Sequence, residues 1–232
     1  MKILALDTTS PFLGIALWGP DGGKEICRRV GNHHDEVLVK HLKGLLHKSK
    51  WRMEEIDRIV VATGPGRFTG IRIGLTFANM LSETFQKPVT GISTLEALAY
   101  QAALQRQGKK DLSSDFFYIC SLVESIREEV FWQLFEWKSR CKTPLMARTQ
   151  PCWTSVERVK QIWDKHPQMC CVGSGISRLA GLVSAAYLME PKSHVLKASS
   201  LALLVLNRGR RPMGLARPLY LKPGHYEIPR GT

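Results

Sequence analysis

Hydrophobic positions in the first hundred residues fall into short blocks that change period along the chain. Residues 3–7 (ILALD), 14–18 (GIALW) and 25–30 (EICRRV) read as strands, and PDGG at 20–23 supplies the turn between the second and third. From residue 33 the spacing becomes that of a helix. Asn32 stands where a cap belongs, Asp35 and Glu36 occupy the first turn, and Lys48 and Lys50 lie at the far end, which complements the helix dipole. A strand at 58–62, a helix at 68–85, a strand at 88–92 and a helix at 94–107 follow. This order predicts a meander whose later strands join by helical crossovers, giving a mixed α/β sheet with helices on its faces. A polar stretch at 105–115 (QRQGKKDLSSD) reads as a linker. Beyond it the pattern predicts strands at 116–123 and 129–137, a helix near 154–165, a strand running into a glycine turn at 170–175, and a last helix at 199–208. No internal repeat is visible.

The helix at 68–85 carries an unusual pattern. From Gly70 on, Arg72, Thr76, Asn79 and Glu83 form one narrow polar stripe. It is flanked by Ile71, Leu75, Ala78 and Phe85 on one side and by Ile73, Phe77 and Met80 on the other. A helix that covers only its own sheet needs a single apolar face. Two faces predict burial on two sides, either wholly inside the chain or against a second one. Gly66, Gly70 and Gly74, four apart, would let another backbone approach, at a propensity cost of about 1 kcal/mol per interior glycine.

The glycines suggest a phosphate loop, but both fingerprints fail. A Walker loop needs Lys and Ser/Thr after its last glycine, whereas Ile71 and Arg72 follow Gly70. The dinucleotide motif needs a glycine at 69, which is Thr69. A generic anion site at the helix start stays open.

Composition adds two points. The chain of 232 residues, 44% hydrophobic, can bury a substantial core. Its net charge is +13, and the last 28 residues hold Arg208, Arg210, Arg211, Arg217, Lys222 and Arg230 against Glu227 alone. Such a tail suits nucleic acid, an acidic protein surface, or simply solvent. The opening strand ends without a cleavage site and no apolar run reaches membrane length, so neither an export signal nor a membrane role is expected. Six cysteines without a CxxC pair read as free thiols in a reducing cytoplasm.

Candidate chemistry is sparse. Asp7 ends the first strand and is followed by Thr8, Thr9 and Ser10, which suits either a magnesium–phosphate site or a capped turn. The seven histidines include no i,i+4 pair, and His33 and His34 are expected as exposed residues opening the first helix. Gly173-Ser174-Gly175 is too short for a nucleophile elbow, and no nucleophile–base pair stands out.

Several segments together resemble one family. ILALDTTSPFLGIALW (3–18), GPGRFTGIRIG (64–74), GISTLEALA (91–99), VGSG (172–175) and RPLYL (217–221) are similar to TsaB, also called YeaZ. The likeness is tight over residues 1–100 and loose from about 110 to 200. It implies two ribonuclease-H-like lobes of the actin and sugar-kinase superfamily, the second reduced. The expected division is 1–110 for the first lobe, with 200–232 packing back on it, and 111–199 for the second.

The resemblance also implies a role. Such proteins are non-catalytic subunits that heterodimerise with the catalytic TsaD subunit and support TsaE, an ATPase. The complex places threonylcarbamoyl on N6 of the adenosine beside the anticodon of ANN-reading tRNAs. The catalytic paralogues carry an HxxxH metal pair where this chain has Thr94 and Leu98, which cannot chelate. No cofactor or metal is then required by this chain, with ATP and magnesium acting at the level of the complex and tRNA met through it.

Docking is implied through the helices at 33–48 and 68–85, which nominates Leu38, Leu42, Gly66, Phe68, Gly70, Ile73, Gly74, Phe77 and Met80, with a homodimer when the chain is alone. Asp7, Thr8, Gly173 and Gly175 are the candidates for a vestigial nucleotide site, and an independent ATPase of the same superfold is the alternative. Glu124-Ser125-Ile126 replaces the Asp-Ala-Arg of many relatives, and Arg67 replaces a common Ser.

Overall fold

The computed structural model describes residues 1–107, 116–126, 128–138, 141, 144–165, 169–179, 181, 194–208 and 214–222. The opening strands β1 (Ile3–Asp7), β2 (Phe12–Gly19) and β3 (Gly22–Arg29) form the expected meander. The polar start of β3 joins the sheet because the hairpin ladder runs to Gly19↔Gly22, leaving only Pro20 and Asp21 as the loop. Helix α1 (His34–Ser49), β4 (Arg58–Ala62), α2 (Phe68–Phe85), β5 (Val89–Ile92) and α3 (Thr94–Gln107) follow. The sheet order is β3-β2-β1-β4-β5, antiparallel on the β1–β2–β3 side and parallel through β4 and β5.

The second sheet holds β6 (Phe116–Glu124), β7 (Glu129–Lys138), β8 (Leu145–Ala147) and β10 (Cys170–Val172) in the order β10-β6-β7-β8, with β9 (Cys152–Ser155) also on β7. Read from β8, this is the first sheet's order again: a β6–β7–β8 meander, then β10 parallel to β6 as β4 is to β1. A counterpart of β5 is missing among the described residues. In both halves a glycine with positive φ follows the strand that pairs parallel to the first, Gly64 at 96° two residues after β4 and Gly173 at 109° directly after β10. The duplication that the sequence does not display is therefore present in the topology. The short β8 and β9 were not expected, since three or four residues carry no measurable period.

The elements stack in five layers. Helices α1 and α2 cover the outer face of the first sheet over a core that includes Leu4, Leu6, Ile59 and Val61. α5 (Ala198–Arg208) lies on its inner face and packs on α3, which covers the second sheet. One apolar cluster, including Ile3, Leu98, Leu201 and Trp137, runs through this middle layer. α4 (Val156–Lys165) closes the far side of the second sheet. α3 is buried at every position from Thr94 to Ala103, which explains its lack of amphipathic pattern. Its buried Gln101 is satisfied by donating to the Val195 carbonyl and accepting from the Lys197 N–H and the Ser200 hydroxyl.

After α5 the chain returns across α2. Asn79 donates to the Ala216 carbonyl and accepts from its N–H, both at 3.0 Å, and the Leu219 N–H donates to the Thr63 carbonyl. Residues 214–222 thus form a strap over the polar stripe of α2. Residues 209–213 and 223–232, which include Arg210, Arg211 and Arg230 of the basic tail, lie outside the described residues, as do 108–115 of the expected linker, whose first three residues, 105–107, instead close α3.

Two details at α1 differ from expectation. His33, not Asn32, precedes the first helical turn, and its ring hydrogen-bonds the Glu36 carboxylate at 2.8 Å. His34 is buried, its Nε2 lying 3.2 Å from the Phe12 carbonyl, because position 34 begins the inward stripe of Leu38, Leu42 and Leu45.

Candidate functional site

The stretch 64–74 is organised around the turn after β1. The Thr8 hydroxyl donates to the Gly70 carbonyl at 2.7 Å, and the Arg67 N–H donates to the Thr9 carbonyl at 2.8 Å. A Cβ on Gly66 would stand 2.3 Å from the Thr9 oxygen, one on Gly70 2.0 Å from the Thr8 oxygen, and one on Gly74 2.2 Å from the Thr8 hydroxyl. What these glycines admit is therefore the chain's own Thr8–Thr9 turn, backbone at Gly66 and Gly70 and the Thr8 side chain at Gly74. This corrects the expectation that they open α2 to a partner helix.

Asp7 is buried at the same turn. The Thr9 N–H and hydroxyl both donate to its Oδ1, at 2.9 and 2.7 Å, while Oδ2 has no hydrogen-bond partner. Burial pushes the carboxyl up from its ordinary value of 3.8, with the Thr9 hydrogen bonds and nearby His34 opposing but not cancelling the shift. A carboxyl with a raised folded-state value holds its proton more tightly when folded. Its favourable contribution is complete below the ordinary value and is lost as pH rises through the folded value. Asp7→Asn keeps an acceptor for Thr9, so it is expected to raise the urea midpoint at neutral pH. That advantage should vanish in acid, below the ordinary carboxylate range; an offset independent of pH would rule out the buried charge as its cause.

Asp7 also lines a cleft of about 570 Å³ between the two sheets, with Thr94, Leu98, Ser174, His194 and Lys222 around it. Thr94 and Leu98, one helical turn apart on α3, both face this space. Burial lowers the pKa of His194, whose Nδ1 accepts from the Gly173 N–H at 3.3 Å. The other nominated nucleotide residues do not join Asp7. The Thr8 hydroxyl is engaged by Gly70. Gly173 and Gly175 are pressed against Leu122 of β6, where an added Cβ would lie 2.0 Å from its oxygen and 2.9 Å from its Cβ respectively. These glycines serve the close approach of a loop to a strand. Sequence reading missed His194 and Lys222 because they come from distant segments that only the fold brings to Asp7.

The nominated docking residues separate into three groups. Ile73 and Phe77 are half-buried and Met80 is 47% exposed, while Ile71, Leu75 and Ala78, which were not nominated, cover the sheet. On neighbouring α1, Val39 is 44% exposed, so both helices leave apolar side chains open. Leu38 and Leu42, at 1% and 4%, sit in the core and cannot meet a partner, because they lie on the inward stripe of α1. Phe68 is exposed but turned toward the strap, where it stacks on Tyr220. Val39 was legible as an apolar residue off that stripe and was overlooked.

Comparison with known proteins bears on this arrangement. Residues 26–189 match the family described as TsaD, tRNA N6-adenosine threonylcarbamoyltransferase. The tRNA threonylcarbamoyladenosine biosynthesis protein TsaB of Buchnera aphidicola subsp. Baizongia pistaciae is 32% identical over 179 residues, covering 72% of this chain and 77% of that protein. The chain belongs to the TsaB (YeaZ) family. The TsaB protein of Bacillus subtilis is 37% identical over 100 residues, 43% of this chain and 44% of its own length, so the chain spans about half of that relative. YeaZ from Pseudomonas aeruginosa superposes with a TM-score of 0.78 over 95% of this chain and 99% of that one at 23% identity. The two-lobed fold with a reduced second lobe is thus the YeaZ fold. Among the described residues no helix is long and apolar enough to cross a membrane.

Proposed function

We propose that this chain is the non-catalytic subunit of a cytoplasmic complex that adds threonylcarbamoyl to N6 of the adenosine beside the anticodon in ANN-reading tRNAs. It acts by heterodimerising with a TsaD-type catalytic subunit and supporting a TsaE-type ATPase. The observation that carries this reading is the apolar surface that the neighbouring helices α1 and α2 leave uncovered at Val39, Ile73, Phe77 and Met80. A partner helix pair of matching chemistry would cover it, and a second copy of the chain could do so when the partner is absent. Family membership supports the pathway, since the TsaB relatives are tRNA threonylcarbamoyladenosine biosynthesis proteins.

The cleft supports a non-catalytic part. Where the paralogues' metal pair would stand, Thr94 and Leu98 offer a hydroxyl and a methyl surface. The independent ATPase alternative is not favoured, since the Gly173 N–H that it would offer to a phosphate donates to His194 Nδ1. The test is reconstitution. With a TsaD-type subunit, a TsaE-type ATPase, ATP and the adenylate donor, tRNA modification is expected only when this chain is added. Equal modification without it would refute the proposal.

A further inference from the structure

The strap builds a second exposed surface, distinct from the apolar face. Phe68 and Tyr220 are 51% and 45% exposed, and their rings stack with centroids 5.3 Å apart and 28° between planes. The Arg72 guanidinium lies 3.9 Å from the Phe68 centroid, and its Nε donates to the Tyr220 hydroxyl at 3.2 Å. Arg67, next to Phe68 in the chain, and Arg217, three residues before Tyr220 on the strap, are exposed as well, the Arg67 guanidinium also donating to the Gly31 carbonyl at 3.0 Å. The acidic groups on the cleft side do not offset these cations, because Glu124 is held by Arg178 and Glu129 by Lys222.

We propose that this Arg72–Phe68–Tyr220 stack, flanked by Arg67 and Arg217, binds unpaired RNA. Its chemistry has two halves, and one ligand uses both. Flat aromatic faces with a guanidinium stacked on them suit a nucleobase, and the neighbouring arginines suit the phosphates on either side of it. An acidic protein would use the arginines but draw little from the rings. Duplex bases hide their faces, so the ligand is a loop or single strand. The surface lies on the polar side of α2, about a quarter turn or more from Ile73, Phe77 and Met80. RNA and a protein partner could therefore bind together. This inference extends the proposed function and rests on it only for the choice of tRNA as probe.

The experiment measures binding of a labelled unmodified tRNA transcript and of a short single-stranded RNA to the full chain and to its heterodimer, over a range of salt. Tyr220→Ala is expected to weaken binding about tenfold, as loss of one base stack does, while Tyr220→Phe is expected to keep it. Arg217→Ala is expected to reduce the slope of log K against log salt by about 0.7, the value for one phosphate contact to a single strand. Wild-type binding by both alanine variants, or absence of binding by the chain and its heterodimer alike, overturns the proposal. So does loss of binding on removing 223–232 alone, which would assign it to the tail. Loss of heterodimer by Tyr220→Ala with RNA binding unchanged would make this a protein contact instead. Heterodimer formation, followed separately by co-elution, tells failure of this inference from failure of the proposed function.

Discussion

Gly70→Ala is expected to destabilise the isolated chain by about 2–3 kcal/mol, read as a lower urea midpoint. In an exposed helix the same change would stabilise by up to about 1 kcal/mol, because alanine has the better helix propensity. At Gly70 the new methyl would stand 2.0 Å from the Thr8 carbonyl oxygen, and backbone cannot swing aside as a side chain can. Relief requires moving the β1 turn away from α2. That movement strains the hydrogen bond from the Thr8 hydroxyl to the Gly70 carbonyl, a net ~1 kcal/mol interaction. Gly44 is the control: it lies in α1 with nothing within 4 Å of an added Cβ, so Gly44→Ala is expected to raise the midpoint. The pair of signs separates two explanations of the glycine spacing. If the glycines existed only to admit a partner, Gly70→Ala would behave like Gly44→Ala in the isolated chain and fail only in the complex.

The same contact shows how far the sequence could be read. The apolar blocks and turn residues marked the ordered elements of the first sheet well, because β1, β4 and α2 have strong local periods and a clear Gly-Pro-Gly break. The two apolar faces of α2 were legible too, and the structure leaves the second partly open. What could not be read was the object facing each glycine. Spacing of four says that something approaches, while its identity depends on a turn about sixty residues away. The return of 200–232 to the first lobe was expected from the resemblance, but its place over the polar stripe of α2 was hidden for the same reason: Asn79 and Ala216 pair across 137 positions. The duplicated lobe, expected from the family resemblance alone, left no mark in the residue pattern for a different cause. Topology repeats through backbone pairing, which tolerates almost any side chain, so Gly64 and Gly173 are matched by backbone angle while their flanking residues differ.

Charge placed on the open face should separate docking from folding. The double variant Val39→Glu, Met80→Glu is expected to lose at least about 100-fold in affinity for a TsaD-type subunit, since two carboxylates would be desolvated against apolar helices. Both side chains are more than 40% exposed in the isolated chain, so its urea midpoint should move by no more than about 0.5 kcal/mol in stability. Leu38→Glu or Leu42→Glu would be uninformative, because a charge in that core unfolds the chain whatever its partners. Arg72 and Asn79 lie on the strap side of the same helix, so Arg72→Ala is expected to leave co-elution unchanged. If the double variant still co-elutes as wild type, the apolar face is not where the catalytic subunit docks. If Arg72→Ala disrupts the pair instead, the heterodimer forms over the strap, and the surface assigned to RNA must be given to the protein.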